Sequence, residues 1–343
     1  MRRHLVLRAG DAASTRAPLR ALLVTAALAA AALLTAVIAL GLGEMRVSAA
    51  DVVQAIVADA PPAVETVVVQ WRLPRVLLGL VFGAALGLSG AVFQSLTRNP
   101  LGSPDVIGFD SGAYTGAVVS IIAVGGTALV IPSALAGGIA TALAVYLLAY
   151  RRGVHGFRLI VVGVALTALL GSVNTYLLLK AELWTAQMAA VWAAGSLNGL
   201  DWADARHGAA VVAALVVPLL WLGRRLRMLE LGDDAAAAAG VAVEPVRLAL
   251  IVVGVSLSAV VTALAGPIPF VALVAPQLAR RLTRAPGVQL VPSAVTGALL
   301  LVSCDAIALN VPPQALPVGL MTIVLGGAYL VWLLVAQSRK EMR

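Results

Sequence analysis

Few residues of this chain have a type and spacing suited to covalent chemistry. Gly87-Leu88-Ser89-Gly90 sets a serine among small residues, as around the nucleophile of an intramembrane serine protease. That chemistry needs a histidine base within hydrogen-bond reach of the hydroxyl. The three histidines are His4, His155 and His207, and the last two lie at opposite edges of apolar runs. A protease acting through Ser89 is therefore the rival reading from outside the transport class. Lys180 and Lys340 are the only lysines, and neither sits in a G-x-x-x-x-G-K-[ST] loop. The chain has no P-loop for ATP. No His-Glu-x-x-His zinc pattern occurs, and Cys304 is the single cysteine. No catalytic residue, metal ligand or intrachain disulfide is expected.

Other residues suit binding and movement. Arg72 and Arg75 stand at i and i+3 just before a long apolar run. Guanidinium forks match carboxylates, so the two predict docking of an acidic partner. The plainer reading is basic side chains reaching lipid headgroups. Arg-Asn-Pro-Leu-Gly-Ser-Pro-Asp, residues 98–105, is a rigid turn between glycine-rich runs and suits a constriction. Within 224–247, Asp233 is placed to cap a short helix over Ala235–Ala239, with Gly240 as its stop. A short exposed alanine helix is too weak to stand alone and makes sense docked in a partner's groove. Gly79, Gly83 and Gly87 recur every four residues, as do Gly108, Gly112 and Gly116. Each ladder gives one helix face for close packing, read here as a tight central helix pair.

Membrane helices must position these residues. Of 343 residues, 61% are apolar and 12% charged, with a mean hydropathy of +0.99. Soluble domains carry about 25% charged residues, so a soluble globular protein is excluded. Disorder is excluded too, because it requires low hydrophobicity. The apolar runs are continuous rather than alternating, which predicts spanning helices and not a barrel. Ten spans are expected, near 20–43, 73–97, 106–125, 127–150, 157–178, 207–223, 245–266, 268–284, 290–309 and 316–336. The first is too long for a signal peptide. Pro276 breaks the eighth, and 186–200 reads as a short external helix and loop.

The net charge of +8 is explained by topology rather than by nucleic acid. With the N-terminus inside, roughly 19 of the 24 basic residues fall in inner segments. Both termini and the loop 224–247 are then cytoplasmic, while Arg72 and Arg75 are external. The chain divides into a cytoplasmic segment 1–19, one transmembrane domain 20–336 and a cytoplasmic tail 337–343. Asp110 and Asp305 lie near span ends, and ionisable groups are otherwise scarce within spans. That disfavours a proton-driven carrier and predicts that energy comes from outside the chain.

Arg72-Leu73-Pro74-Arg75 and the stretches 83–112, 229–241, 266–281 and 316–326 together resemble the FecCD family. These are permease subunits of bacterial ABC importers for iron–siderophores, haem and vitamin B12. Phe93-Gln94-Ser95-Leu96, residues 98–109, 195–200 and 228–234, and Ser338-Arg339-Lys340 bring the likeness nearest to the catecholate, ferric-enterobactin type. The resemblance implies an all-α, polytopic fold of the vitamin-B12-permease kind (a type II ABC importer) in the bacterial cytoplasmic membrane. It implies a second, related permease subunit, two cytoplasmic ATPase subunits that hold the ATP, and an extracytoplasmic siderophore-binding protein. The permease itself would bind no cofactor and would not be an enzyme. By the same resemblance Leu229, Glu230, Leu231, Gly232, Asp233, Asp234, Gly240 and Val241 belong to the ATPase-coupling loop. Asn99, Leu101, Gly156 and Phe157 form the cytoplasmic gate, and Arg72 and Arg75 dock the binding protein. The chain departs from the common family pattern at Pro269, Gln277, Ala308 and Gly326-Gly327-Ala328.

Overall fold

The computed structural model describes residues 4–9, 13–57, 59–124, 129–150, 156–311 and 314–341. Arg2, Arg3, Arg151, Arg152, His155 and Arg343, which entered the sequence reading, lie outside the described residues. A short antiparallel hairpin, β1 (His4–Ala9) and β2 (Ala13–Pro18), leads into the first helix. The helices follow as α1 (Leu19–Gly41), α2 (Ala49–Ile56), α3 (Pro62–Glu65), α4 (Leu73–Thr97), α5 (Phe109–Val124), α6 (Val130–Ala149) and α7 (Gly156–Lys180). Next come α8 (Leu183–Ala193), α9 (Trp202–Glu230), α10 (Asp233–Ala238), α11 (Val243–Ala265), α12 (Val271–Thr283), α13 (Leu290–Asn310) and α14 (Val318–Glu341).

Each expected span holds one of these helices. Seven are long and apolar enough to cross a membrane, and Phe109–Val124 and Val318–Leu333 are shorter apolar helices. The tenth, α12, has 13 residues. At 1.5 Å per residue it is about 20 Å long, short of a hydrocarbon core of about 30 Å. Phe270, at φ +69, and the irregular stretch 266–270 precede it. The expected span 268–284 is therefore only partly helical. In contrast α9 runs past its expected end at 223, so Arg224, Arg225 and Arg227 lie on helix rather than loop. Its start is fixed by a capping box: the Asp201 carboxylate accepts from the Ala203 and Asp204 amides, and Asp204 reaches back to the Asp201 amide.

The segment between α1 and α4, to which sequence reasoning assigned no element, is partly helical. Ser48 caps α2 through the Asp51 amide, and a π-helical turn over Thr66–Arg72 runs directly into α4. Pro74 explains that wide turn. Its ring would clash with the carbonyl four residues back, and the π geometry moves that carbonyl away.

Within this bundle α4 is central. Its membrane window is 78% buried, against 11% for α7. It packs on α13, α11, α12 and α9, and its side chains Leu78, Phe82 and Phe93 are fully enclosed. The chain thus combines a dense core around α4 with a half, α5 to α7, that turns apolar side chains such as Leu169 and Tyr176 outward.

Candidate functional site

The C-terminal ends of α4, α9 and α12 gather Arg98, Arg224, Arg225, Arg227, Arg280, Arg281 and Arg284 at one end of the bundle. The start of α1 is there too, because Arg20 Nε donates to the Leu282 carbonyl. At this arginine-rich end, the last turn of α4 and its cap meet α12, α9, α7 and α10. Gln94 Nε2 donates to the Leu273 carbonyl of α12, and Gln94 Oε1 accepts from Arg280 Nη2 at 2.7 Å. Ser95 Oγ donates to Glu230 Oε1 at the end of α9, and Glu230 Oε2 accepts from the Val288 amide, both at 3.0 Å. A side chain at Gly156, the first residue of α7, would overlap the Thr97 backbone. Arg98 Nη2 donates to the Leu229 carbonyl and to Asp233 Oδ1, each at 2.9 Å.

The turn that follows is held from two sides. Asn99 Oδ1 accepts from the Leu101 amide at 2.9 Å, an Asx turn that fixes the loop locally. Gln277 Nε2, on α12, donates to the Pro100 carbonyl at 2.8 Å. Leu101 and Phe157 are 43% and 78% exposed. Of the four expected gate residues, Asn99 and Leu101 lie in the turn and Gly156 lies against Thr97 at its root, while Phe157 follows Gly156 on α7 with its side chain exposed. Farther along, Asp105 Oδ2 accepts from the Phe270 amide at the start of α12. Two irregular segments, 98–108 and 266–270, thus meet inside the bundle. Non-helical backbone at membrane depth is tolerated where protein buries it.

The expected coupling residues occupy the end of α9, the turn after it and α10. The cap of α10 is Gly232, at φ +121, and not Asp233. Asp233 instead stands in the first turn with its carboxylate held by two arginines. Arg247 Nη2 reaches Oδ2 at 2.7 Å, Arg98 holds Oδ1, and Arg247 Nη1 also donates to Glu244. Burial would raise this carboxyl. Arg247 and then Arg98 outweigh it and keep Asp233 below its usual value. Gly240, at φ +80, ends the helix: its amide bonds the Ala237 carbonyl and the Val241 amide bonds Ala236. That pair of bonds is a Schellman motif, and it favours glycine at the left-handed position. Leu229 and Ala236 are buried, while Leu231 and Asp234 are exposed.

The opposite end carries a different arginine site. Arg75 is buried, and its guanidinium is bidentate on Asp305 of α13, Nε to Oδ2 at 2.8 Å and Nη2 to Oδ1 at 2.7 Å. Its third donor reaches Asn198 Oδ1 in the loop after α8. These bonds give Arg75 an internal partner that the sequence reading, in which it docks an external carboxylate, did not assign. Asp305, expected near a span end, is the internal partner. Arg72 stays half-buried and donates to the Leu40 and Met45 carbonyls. Both arginines border a cavity of about 670 Å³, lined also by Trp71, Asn198, Asp201 and Asn310. Ala308 is fully buried.

The glycine ladders each pack on a later helix, not on one another as a central pair. Side chains at Gly83 and Gly87 would fall on the Gly297 and Ser293 carbonyls of α13, while Gly79 makes ordinary contact with Val302. Side chains at Gly112 and Gly116 would fall on Thr141 and Ser133 of α6, and one at Gly108 on Thr167 of α7. Ser89 is fully buried and donates to the Gly254 carbonyl at 2.6 Å, and a side chain at Gly90 would overlap the Ala272 carbonyl. The tetrapeptide is a packing contact, with the Ser89 hydroxyl engaged by a backbone carbonyl. No group of three or more metal-binding side chains occurs among the described residues.

Sequence reasoning missed the Arg98–Asp233, Ser95–Glu230 and Arg75–Asp305 pairs, whose members are more than 100 residues apart. The isolated charge of Asp305 inside an apolar run was the one available signal, since a buried ion implies a partner.

Comparison with known proteins bears on the fold and the family. The chain is 49% identical over 326 residues to the ferric enterobactin transport system permease protein FepG of Escherichia coli (strain K12), covering 94% of this chain and 98% of that protein. It is 36% identical to the achromobactin transport system permease protein CbrC of Dickeya dadantii (strain 3937), covering 88% of each. Among solved structures, a metal-chelate type ABC transporter in an inward-facing conformation superposes with a TM-score of 0.81 at 29% identity, covering 92% of this chain and 99% of that one. Residues 19–336 match the FecCD transport family, and the chain belongs to that family.

Proposed function

We propose that this chain is one permease subunit of an ATP-driven importer that carries a ferric siderophore of the catecholate type across the bacterial cytoplasmic membrane. The observation that carries this reading is the 49% identity to a ferric enterobactin permease over nearly the whole of both chains. The arginine-rich end faces the cytoplasm, in keeping with the excess of basic residues expected there, and both termini lie on that side. On that face α10 docks on an ATPase subunit, and the turn 98–102 with Phe157 closes the inner end of the path. The opposite end receives the extracytoplasmic binding protein at the cavity beside Arg72. Arg75 acts there by holding the 195–201 loop in place. A second, related permease completes the path, two ATPases supply the energy, and this chain performs no covalent chemistry.

Uptake tests the reading. Placed with the remaining subunits of the ferric enterobactin system in a strain that lacks its own FepG, the chain should restore ATP-dependent accumulation of radiolabelled ferric enterobactin. Ala237→Arg should leave the protein in the membrane and abolish accumulation, because an unpaired charge forced into a tight groove costs several kcal/mol. Accumulation that persists without the ATPase would point to a self-sufficient carrier. Wild-type accumulation in Ala237→Arg would make α10 a passive connector.

A further inference from the structure

The inner turn and the coupling segment are far apart in sequence and joined in space by Arg98. Its backbone closes α4 at φ +50, a left-handed conformation that glycine adopts most readily. The side chain that stands there crosses to the coupling segment and bonds it twice, at the Leu229 carbonyl and at Asp233. One turn earlier on the same helix, Ser95 grips Glu230, three residues before Asp233. Arg247, only 7% exposed, anchors Asp233 from the far side. The first residue of the turn is Asn99, immediately after Arg98. A rigid turn of α4 therefore has the coupling segment fastened to its side and the gate turn attached to its end.

We propose that Arg98 is a positioning residue that makes the coupling segment and the gate turn one mechanical unit, so that displacement of α10 is carried directly to Asn99 and Leu101. The proposal rests on the permease reading above and assigns a task within it. The Arg98 and Asp233 side chains are 50% and 43% exposed, so the pair adds little to stability. Its effect is to fix one position relative to another.

Arg98→Gly separates the two roles, because glycine suits the left-handed backbone while removing the crossing side chain. In a Cys304→Ala background, spin labels at Leu101 and Ala238 report the distance between turn and helix in the purified chain. The expected result is a narrow distance distribution in the parent, a broad one in Arg98→Gly and a narrow one again in Arg98→Lys. In the reconstituted transporter, ferric enterobactin taken up per ATP hydrolysed should fall about fivefold in Arg98→Gly, the population ratio an exposed ion pair can bias. Arg98→Lys should recover most of that loss. A narrow distribution in Arg98→Gly, or unchanged uptake per ATP, overturns the proposal. Should the parent transporter take up no ferric enterobactin while the distances behave as expected, the linkage stands and the functional reading fails.

Discussion

The two ends of the bundle each join distant segments through an arginine and an aspartate, but in opposite environments. Arg75 and Asp305 have side chains only 11% and 6% exposed and meet in bidentate geometry. Arg98 and Asp233 are about half exposed and share a single contact, with Arg247 completing the carboxylate's partners. Burial makes the first pair rigid, since separating it strands a charge in a medium that cannot solvate it. Water screens the second, which adds little to stability and serves to set position. One end is a frame that holds the bundle together, and the other is a linkage that fixes one segment against another.

Removing one partner at each end should break this contrast most clearly. Arg75→Ala should cost about 3–5 kcal/mol, because Asp305 is left buried and unpaired. Thermal unfolding in detergent measures it. Replacing both residues, Arg75→Met with Asp305→Leu, should recover most of the loss, whereas an equal loss in the double variant would show that the pair is not the cause. A smaller effect is expected in the packed frame that holds the buried pair. Gly83→Ala places a methyl group on the Gly297 carbonyl and should cost about 1–3 kcal/mol. Gly171→Ala, on the outward-facing α7, meets nothing within 4 Å and should be neutral or slightly stabilising. Matching losses at the two glycines would erase the distinction between the buried α4 and the exposed α7.

The smallest effect belongs to the half-exposed joint. Asp233 is held below its usual value, so its contribution is complete at neutral pH and is lost as pH falls below the ordinary Asp range near 3.9. Exposure limits that contribution to under about 1 kcal/mol, and salt weakens it. A spin label at Ala238 should gain mobility only as pH falls below about 3.9. In Asp233→Asn the label should be mobile at neutral pH, with no step on acidification. A step that survives in Asp233→Asn would place the titrating group elsewhere.

The parts of this molecule legible in its sequence are those governed by local rules. Apolar run length located the seven helices long enough to span and the shorter ones between them, the four-residue glycine spacing marked two packing faces, and Gly240 announced the end of α10. What escaped was set by distant neighbours. Asp233 looks like a cap from its sequence context, yet Arg98 and Arg247 claim its carboxylate and Gly232 takes the cap. Arg75 looks like a surface charge until Asp305, 230 residues away, is brought against it. The π-helical turn was missed because Pro74 is a common residue in a helix's first turn, where its effect on the preceding residues is easily overlooked.

The shortness of α12 bears on how it is held in the bundle. With 13 residues, an irregular lead-in and Arg280 and Arg281 in its last turn, it has too little greasy length to leave the translocon for lipid unaided. Its partners are α4, synthesised long before it, and α13, synthesised just after. A helix this short is therefore kept in the bundle by its packing on α4 and α13 rather than by its own hydrophobic length.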